Sequence, residues 1–258
     1  MAKAEKIAPH QVLDYVGWFA AHKAHLAEEK AFTRRREQLA SERRALPWLK
    51  IEKDYDFDTT EGKKRLAELF AGRSQLIIYH FMFPPNADYR CEGCSFLVDH
   101  IDAANQHLPH HDVTLIVCAR APLPELLDYK ARMGWQFDWV SSFGSDFNFD
   151  FQVSFSEEQT ATGKVLFNFE ERAMSAGDRA GVTVFFKDDD GQIYCTFQVR
   201  GRGGENLIGT YSYLDLTPSG RNETGPSHTL ADWVRLHDEY GSANKLNERP
   251  SKDTGHCH

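Results

Sequence analysis

The segment RCEGCSF, residues 90–96, decides how this chain can fold, because it places two cysteines between a buried strand and a helix. Before it, QLIIYHFMF at 75–83 is dominated by apolar and aromatic residues, a pattern typical of a strand buried on both faces. After it, the apolar residues of SFLVDHIDAANQHL at 95–108 recur at helical spacing, with polar residues on the other face. The sequence therefore predicts a strand–CxxC–helix unit.

This unit indicates thiol–disulfide redox chemistry, either in a thiol–disulfide oxidoreductase or in a thiol peroxidase-like enzyme. A thiolate at the start of a helix is stabilised by unpaired N–H groups and the helix dipole, so we expect the pKa of Cys91 to fall below about 8.5. Glu92 opposes this shift, because it is a neighbouring negative charge. A second thiol three residues later can close a disulfide within the turn. We therefore expect Cys91 to be the nucleophile and Cys94 to resolve its mixed disulfide or sulfenic acid.

Two other interpretations of the cysteine pair stay open. A CxxC can be half of a zinc site, which needs two more ligands. Cys118, Cys195 and Cys257 form no second CxxC, but a composite site could use Cys195 with His80 or His100. The alternatives are thus a metal-binding thioredoxin-fold protein, or a non-catalytic interaction module with a passive cysteine pair.

The next strand, DVTLIVCA at 112–119, completes a βαβ crossover, which predicts a parallel pair of strands. Because the carboxyl ends of parallel strands share one edge, Cys118 and Arg120 should lie at the edge that carries Cys91. Arg120 is a candidate cation for a thiolate or an anionic substrate. Cys118 is more simply explained as a small buried residue.

Three aromatic residues are candidates for shaping a substrate cleft, although core packing explains them equally simply. They lie in the aromatic segment that follows the next predicted helix, and are Trp135, Trp139 and Phe147.

The remaining pattern predicts an α/β fold, with a mixed sheet flanked by helices in one domain over 21–240. Residues 1–20 are a lead-in, 152–180 an insertion and 241–258 a loose polar tail. The insertion has no clear strand pattern, and helical stretches are expected near 157–159 and 170–176. The other predicted elements are helices at 9–20, 21–45, 61–70, 124–133 and 229–240, strands at 49–57 and 135–142, and a hairpin of 182–187 with 192–199.

Composition limits the functions to be considered. The chain has 258 residues, a net charge of −8, no apolar leader and no apolar run long enough to span a membrane. We therefore expect neither nucleic-acid nor membrane binding, and a cytoplasmic location. No phosphate-binding loop or haem-attachment motif is present, so no cofactor is predicted. The expected partner is a thiol or disulfide substrate or reductant, and the long charged helix over 21–45 could mediate a homodimer.

Seven segments of the chain resemble the family called domain of unknown function 899. The resemblance covers about residues 20–240 and implies a thioredoxin-like fold and dithiol–disulfide oxidoreductase activity. Two features depart from the expected pattern: Arg179-Ala180-Gly181 stands where thioredoxin-like proteins usually carry a cis-proline, and Cys195 where the family often has histidine. The segments are ERRALPW (42–48), IIYHFMF (77–83), CEGCSFLVDH (91–100), RAPL (120–123), MGWQFDWVSSFGSDFNFDF (133–151), VFFKDDDG (184–191) and GTYSYLDLTPSGRNE (209–223).

Overall fold

The computed structural model describes residue 7 and residues 9–240. Its helices are α1 (Tyr15–Arg44), α2 (Glu92–Val98), α3 (Ile101–Asn105), α4 (Leu123–Met133), α5 (Phe147–Asp150), α6 (Glu157–Ala161) and α7 (Gly209–Leu214). Its strands are β1 (Leu49–Ile51), β2 (Asp56–Thr59), β3 (Gly62–Arg65), β4 (Gln75–His80), β5 (Val113–Ala119), β6 (Trp139–Ser141), β7 (Ser154–Phe155), β8 (Val165–Phe167), β9 (Glu170–Arg172), β10 (Gly177–Asp178), β11 (Gly181–Lys187) and β12 (Ile193–Arg200).

Eight strands form one mixed sheet in the order β1-β12-β11-β4-β5-β6-β2-β3. β4, β5 and β6 are parallel to one another, whereas β11 pairs antiparallel with β4 and β12 antiparallel with β11. The CxxC segment follows β4 and opens α2, so it lies at the carboxyl edge of the two central parallel strands. The predicted α/β class, mixed sheet and βαβ crossover are confirmed.

The side chains of β4 alternate between two hydrophobic cores, one on each face of the sheet. Ile77, Tyr79 and the following Phe81 face a core that also contains Cys91 and Cys94. Leu76 and Ile78 face a second core that contains Cys118 and Cys195. This period of two is the consequence of a pleated strand buried on both faces. We call these the helix-side core and the opposite core.

Three buried polar side chains occupy the opposite face around β4, β11 and β12. His80 Nε2 lies 2.8 Å from Thr183 Oγ1, and the Arg200 guanidinium donates to the carbonyls of Val182 and Phe151, at 2.8 Å each. Burial lowers the pKa of His80 well below its usual value, and the positive charge of Arg200 lowers it further. Gly181 lies under this arginine: a Cβ there would stand 2.5 Å from Arg200 Cδ. The trio therefore requires a glycine at the start of β11.

The amino-terminal elements differ from the prediction. α1 is one helix of 30 residues, capped by Asp14, rather than a short helix followed by a longer one. The predicted strand over 49–57 is two strands, β1 and β2. The predicted helix over 61–70 is wrong: Gly62 takes a φ of 101° in a tight turn, so the chain reverses into β3, and only a 3-10 turn follows. Among the described residues, no helix is long and apolar enough to cross a membrane.

In the carboxyl-terminal half of the chain, some of the predicted elements are confirmed and others are wrong. The hairpin is confirmed as β11 and β12, with Gly191 at a φ of 82° in its turn. The helix over 95–108 is divided into α2 and α3, and 170–176 contains the strand β9 instead of a helix. The helix over 229–240 is wrong: this segment makes only two 3-10 turns, because its apolar residues are drawn individually into the helix-side core. The predicted tail, 241–258, lies outside the described residues.

Candidate functional site

The two cysteines lie in one helical turn, and Cys91 is the cap of that turn. Cys91 has extended backbone angles, and its Sγ accepts the backbone N–H of Cys94 at 3.2 Å. Cys94 lies inside the first turn and is 2% exposed, against 7% for Cys91. An N–H group directed at sulfur stabilises negative charge on it. No disulfide joins any of the four described cysteines.

A hydrogen-bond relay holds the backbone of Cys91 in place. The Ser95 hydroxyl donates to the Cys91 carbonyl at 2.8 Å, and its oxygen lies 2.9 Å from the Tyr129 hydroxyl, which must therefore be the donor. Burial raises the pKa of Tyr129 and a charge on Cys91 raises it further, while the positive charges of Arg132 and Arg90 lower it. Tyr129 thus stays protonated and connects α4 to the CxxC turn.

Arg90 is the cation nearest in sequence to Cys91, and the sequence analysis did not single it out. Its guanidinium lies 4.0 Å from the centre of the Phe83 ring and 5.3 Å from that of Tyr129. It also donates to the carbonyls of Ala87 and Tyr89, at 2.8 and 3.0 Å. The sequence places Arg90 directly before the first cysteine, and these contacts hold its side chain at the CxxC turn.

Arg120, the predicted cation, is engaged elsewhere. Its Nε lies 2.7 Å from Asp178 Oδ1, and its guanidinium lies over the Phe149 ring at 5.0 Å. Ser154 donates to the same carboxylate oxygen at 2.7 Å. The charge of Arg120 is therefore compensated by an almost fully buried aspartate on β10, so its assignment to the thiolate stays a prediction.

The three aromatic candidates are divided between the two faces of the sheet. Trp135 and Trp139 lie in the helix-side core with the cysteines, 5% and 3% exposed. Trp135 Nε1 donates to Asp99 Oδ1 at 2.7 Å, at the end of α2, so this residue anchors the helix that carries the pair. Phe147 is completely buried in the opposite core, where its ring stacks on His80. The structure therefore does not bring Phe147 to the cysteines, and Cys118 lies with Phe147.

The segment 229–240, which we call the strap, lies over the CxxC turn. A Cβ built on Gly93, between the two cysteines, would stand 3.1 Å from Leu230 Cδ1. The Trp233 ring packs edge-on against Phe96, with centroids 5.5 Å apart, and Val234 is fully buried in the helix-side core. The strap thus belongs to the wall of the site.

Polar contacts fasten the far end of the strap. Arg132 on α4 forms a two-pronged ion pair with Asp238, with Nε–Oδ2 at 2.8 Å and Nη2–Oδ1 at 3.0 Å. The guanidinium of Arg132 holds the pKa of Asp238 below its usual value. His237 Nδ1 lies 2.7 Å from Asp99 Oδ1, the oxygen that also accepts from Trp135. We call these contacts the clasp.

The residues considered as additional metal ligands do not converge on the cysteines. His80 and Cys195 are on the opposite face of the sheet. The Nε2 of His100 lies 2.9 Å from Thr210 Oγ1 and accepts the Thr210 backbone N–H at 3.1 Å. Within residue 7 and 9–240, no three histidine, cysteine or acidic residues are grouped as a metal site.

The order β5-β4-β11-β12, with a CxxC at the start of the helix after β4, defines the chain as thioredoxin-like. The proline position remains a departure, since Ala180 precedes β11 and no cis peptide bond occurs among the described residues. The chain belongs to the family described as bacterial protein of unknown function (DUF899), whose model matches residues 7–240. No match is found among curated proteins.

Several solved structures are distantly similar. A variant of peroxiredoxin Q from Xanthomonas campestris is 12% identical, with 61% of this chain and 90% of that chain covered and a TM-score of 0.39. A provisionally assigned thiol:disulfide interchange protein, DsbE, from Chlorobium tepidum is 11% identical, covering 68% and 99%, with a TM-score of 0.40. The mitochondrial 2-Cys peroxiredoxin from Plasmodium falciparum is 13% identical, covering 66% and 95%, with a TM-score of 0.39. At these scores the likeness carries no weight, and the strand order defines the fold.

Proposed function

We propose that the protein is a thiol–disulfide oxidoreductase that uses Cys91 and Cys94. The observation that carries the proposal is the hydrogen bond from the Cys94 backbone N–H to Cys91 Sγ at the start of α2. It favours a thiolate at Cys91 and holds a second thiol one turn away. The relay through Ser95 and Tyr129 supports this by fixing the backbone of the nucleophile.

The reaction balances as two exchanges. The Cys91 thiolate attacks one sulfur of a substrate disulfide, forms a mixed disulfide and releases the other sulfur as a thiolate. Cys94 loses its proton and attacks Cys91 Sγ, which forms the intramolecular disulfide and releases the second substrate thiolate. Two electrons pass from the cysteine pair to the substrate. An external dithiol then restores the reduced pair, and the reverse sequence oxidises a dithiol substrate.

Access to the sulfur atoms requires movement of the strap. Cys91 is only 7% exposed and Leu230 lies over the residue between the cysteines. A bulky disulfide therefore reaches Cys91 only when Leu230 and Trp233 move away. The proposal includes a reducing, cytoplasmic setting, which suits a pair that is returned to the dithiol form after each turnover.

The test is capture of a mixed disulfide with glutathione disulfide. Incubation of the reduced full chain followed by mass spectrometry should give a Cys91–Cys94 disulfide in the wild type. Cys94→Ser should instead accumulate one glutathione on Cys91, since the resolving thiol is absent. Cys91→Ser should accumulate none at neutral pH.

The matched control is Cys118→Ser, which removes a cysteine from the opposite core and should behave as the wild type. Glutathione retained on Cys94 in the Cys91→Ser protein would reverse the roles. A wild-type pair that stays reduced at every ratio of glutathione disulfide to glutathione would reject the redox function. Metal measured in the same untreated sample, at one ion per chain, would favour the metal-binding alternative.

A further inference from the structure

Helix α1 and the segments that flank it carry most of the exposed large apolar side chains of the described residues. Of 21 exposed large apolar side chains, thirteen lie between residues 7 and 49. α1 itself has no buried residue along its 30 positions, and Arg43, in its last turn, lies over the Phe197 ring of the body at 4.7 Å. Helices gain most of their stability from packing of an apolar face. A helix about 45 Å long without such packing therefore points to a partner.

The large apolar residues of α1 form a stripe along the helix that polar residues such as His25 interrupt. Trp18, Phe32 and Leu39 are separated by multiples of seven, and Phe19 and Leu26 form an adjacent row with the same repeat. Rows with a seven-residue repeat wind slowly around a helix and match a second helix in a left-handed pair. The two rows therefore suit contact along a second helix.

The exposed area is of the size that a stable dimer requires. Tyr15, Trp18, Phe19 and Phe32 are 73%, 46%, 50% and 63% exposed. At 150–250 Å² for a whole aromatic side chain, these four rings offer roughly 450 Å². A standard interface buries about 800 Å² per partner, and the aliphatic members of the stripe add to the aromatic area. Patches beyond about 300–600 Å² mark interaction sites.

The distribution of charge along α1 favours a second copy of α1 as the partner, in an antiparallel orientation. Residues 30–44 carry six basic and two acidic residues, a net charge of +4, whereas residues 15–29 carry one basic and two acidic residues, a net charge of −1. A second α1 lying antiparallel places each basic half against the less basic half, while a parallel pair places the two +4 halves together. The chain's own 241–258 segment, with one leucine among polar residues, offers no apolar stripe to match.

We propose that two copies of the chain associate through α1, with the two helices antiparallel about a two-fold axis. A two-fold contact uses the same patch on both subunits, which suits a stripe that runs the length of one helix. The stripe includes no residue of the CxxC site, so this inference does not depend on the proposed redox function.

The test is the mass of the full chain in solution, measured by sedimentation over a range of micromolar concentrations. The wild type should be a dimer. Trp18→Glu with Phe32→Glu should raise the dissociation constant at least about a hundredfold, since both aromatic contacts occur twice in the interface. The control, Tyr213→Glu with Leu216→Glu, changes two apolar residues that are 75% and 84% exposed elsewhere and should remain a dimer.

A charge-reversed protein tests the direction of the helices. Changing Arg34, Arg35 and Arg36 to glutamate turns the net charge of residues 30–44 from +4 to −2. This should weaken an antiparallel dimer and would strengthen a parallel one, most clearly at low salt. A circular dichroism spectrum and a denaturant titration show whether each variant has a folded body. A monomeric wild type would overturn the proposal and would point to a different protein as the partner of α1. A dissociation constant that does not change in the Trp18→Glu, Phe32→Glu protein would also overturn it.

Discussion

The clasp makes a quantitative prediction about access to the nucleophile. Asp238→Asn removes the two-pronged partner of Arg132, but Glu239 Oε1 stays 3.4 Å from Arg132 Nη2 and the arginine stays over the Tyr129 ring, 5.9 Å from its centre. The two side chains are 45% and 32% exposed, so the ion pair is screened by water. Exposed pairs contribute about 0.2–1 kcal/mol, and the two-pronged geometry places this one near the upper limit. We therefore expect the strap to open about five times more often, since one kcal/mol corresponds to that factor.

The assay is the rate at which iodoacetamide alkylates Cys91 in the reduced protein, followed by mass spectrometry. When the strap closes faster than the reagent reacts, the rate is proportional to the open population. The sign of the pH effect follows from the lowered pKa of Asp238: the clasp is complete above the usual aspartate range and is lost as pH falls through the folded-state pKa. At neutral pH the wild type should therefore react about five times more slowly than Asp238→Asn.

The matched control is Asp58→Asn, which breaks an ion pair with Lys63 in the β2–β3 hairpin. Its aspartate is 33% exposed, against 32% for Asp238, so similar ion pairs are compared at different places. Asp58→Asn should leave the alkylation of Cys91 unchanged. Equal rates in all three proteins would show that the strap does not limit access, and acceleration by both variants would show that general loosening of the fold is being measured.

Arg90→Ala should raise the pH at which alkylation of Cys91 is half-maximal and slow the reaction at pH 7, because a cation that packs on Phe83 and Tyr129 at the CxxC turn is lost; an unchanged pH profile would contradict this. Cys118 should stay unmodified in native protein at pH 8 and react only after unfolding, since burial raises its pKa to about 12; peptide mass spectrometry decides. The free energy of unfolding should fall as pH drops below about 6.5, because His80 binds a proton in the unfolded protein but stays neutral in the folded protein, where its pKa is lowered. His80→Gln should reduce this slope by up to about 1.36 kcal/mol per pH unit, which denaturant titrations at several pH values measure, and a slope equal to that of the wild type would refute it.

Local patterns determined what could be predicted from the sequence. β4, the CxxC at the start of α2, β5 and the β11–β12 hairpin all have strong signals, either a buried apolar run or a glycine turn, and all are found. The helix over 61–70 failed because one turn at Gly62 outweighs the propensity of the residues around it. The helix over 229–240 failed because tertiary burial of Trp233 and Val234 overrides a helical pattern.

Features of the candidate site that depend on neighbouring residues in the sequence could be predicted, whereas contacts between distant parts of the chain could not. The cysteine pair follows from spacing alone, and the structure places it as expected. Arg120 was chosen because parallel strands share an edge, but its true neighbour, Asp178, comes from an insertion without clear strand signals. Tyr129 and the strap reach the cysteines from distant parts of the chain, through contacts that no local pattern encodes.

The buried trio of His80, Thr183 and Arg200 fixes the register of β11 against β4. β11 joins β4 only after a long excursion of the chain, so its alignment is not fixed by a short connection. A slip of one residue would turn every side chain to the other face. Arg200 would then lose the carbonyl of Phe151 and His80 would lose the Thr183 hydroxyl, which leaves buried polar groups without partners at a cost that apolar side chains alone would not impose. The polar centre of the opposite core thus selects one alignment of the strands, and with it the position of Gly181 beside His80 at the edge where the cysteines lie.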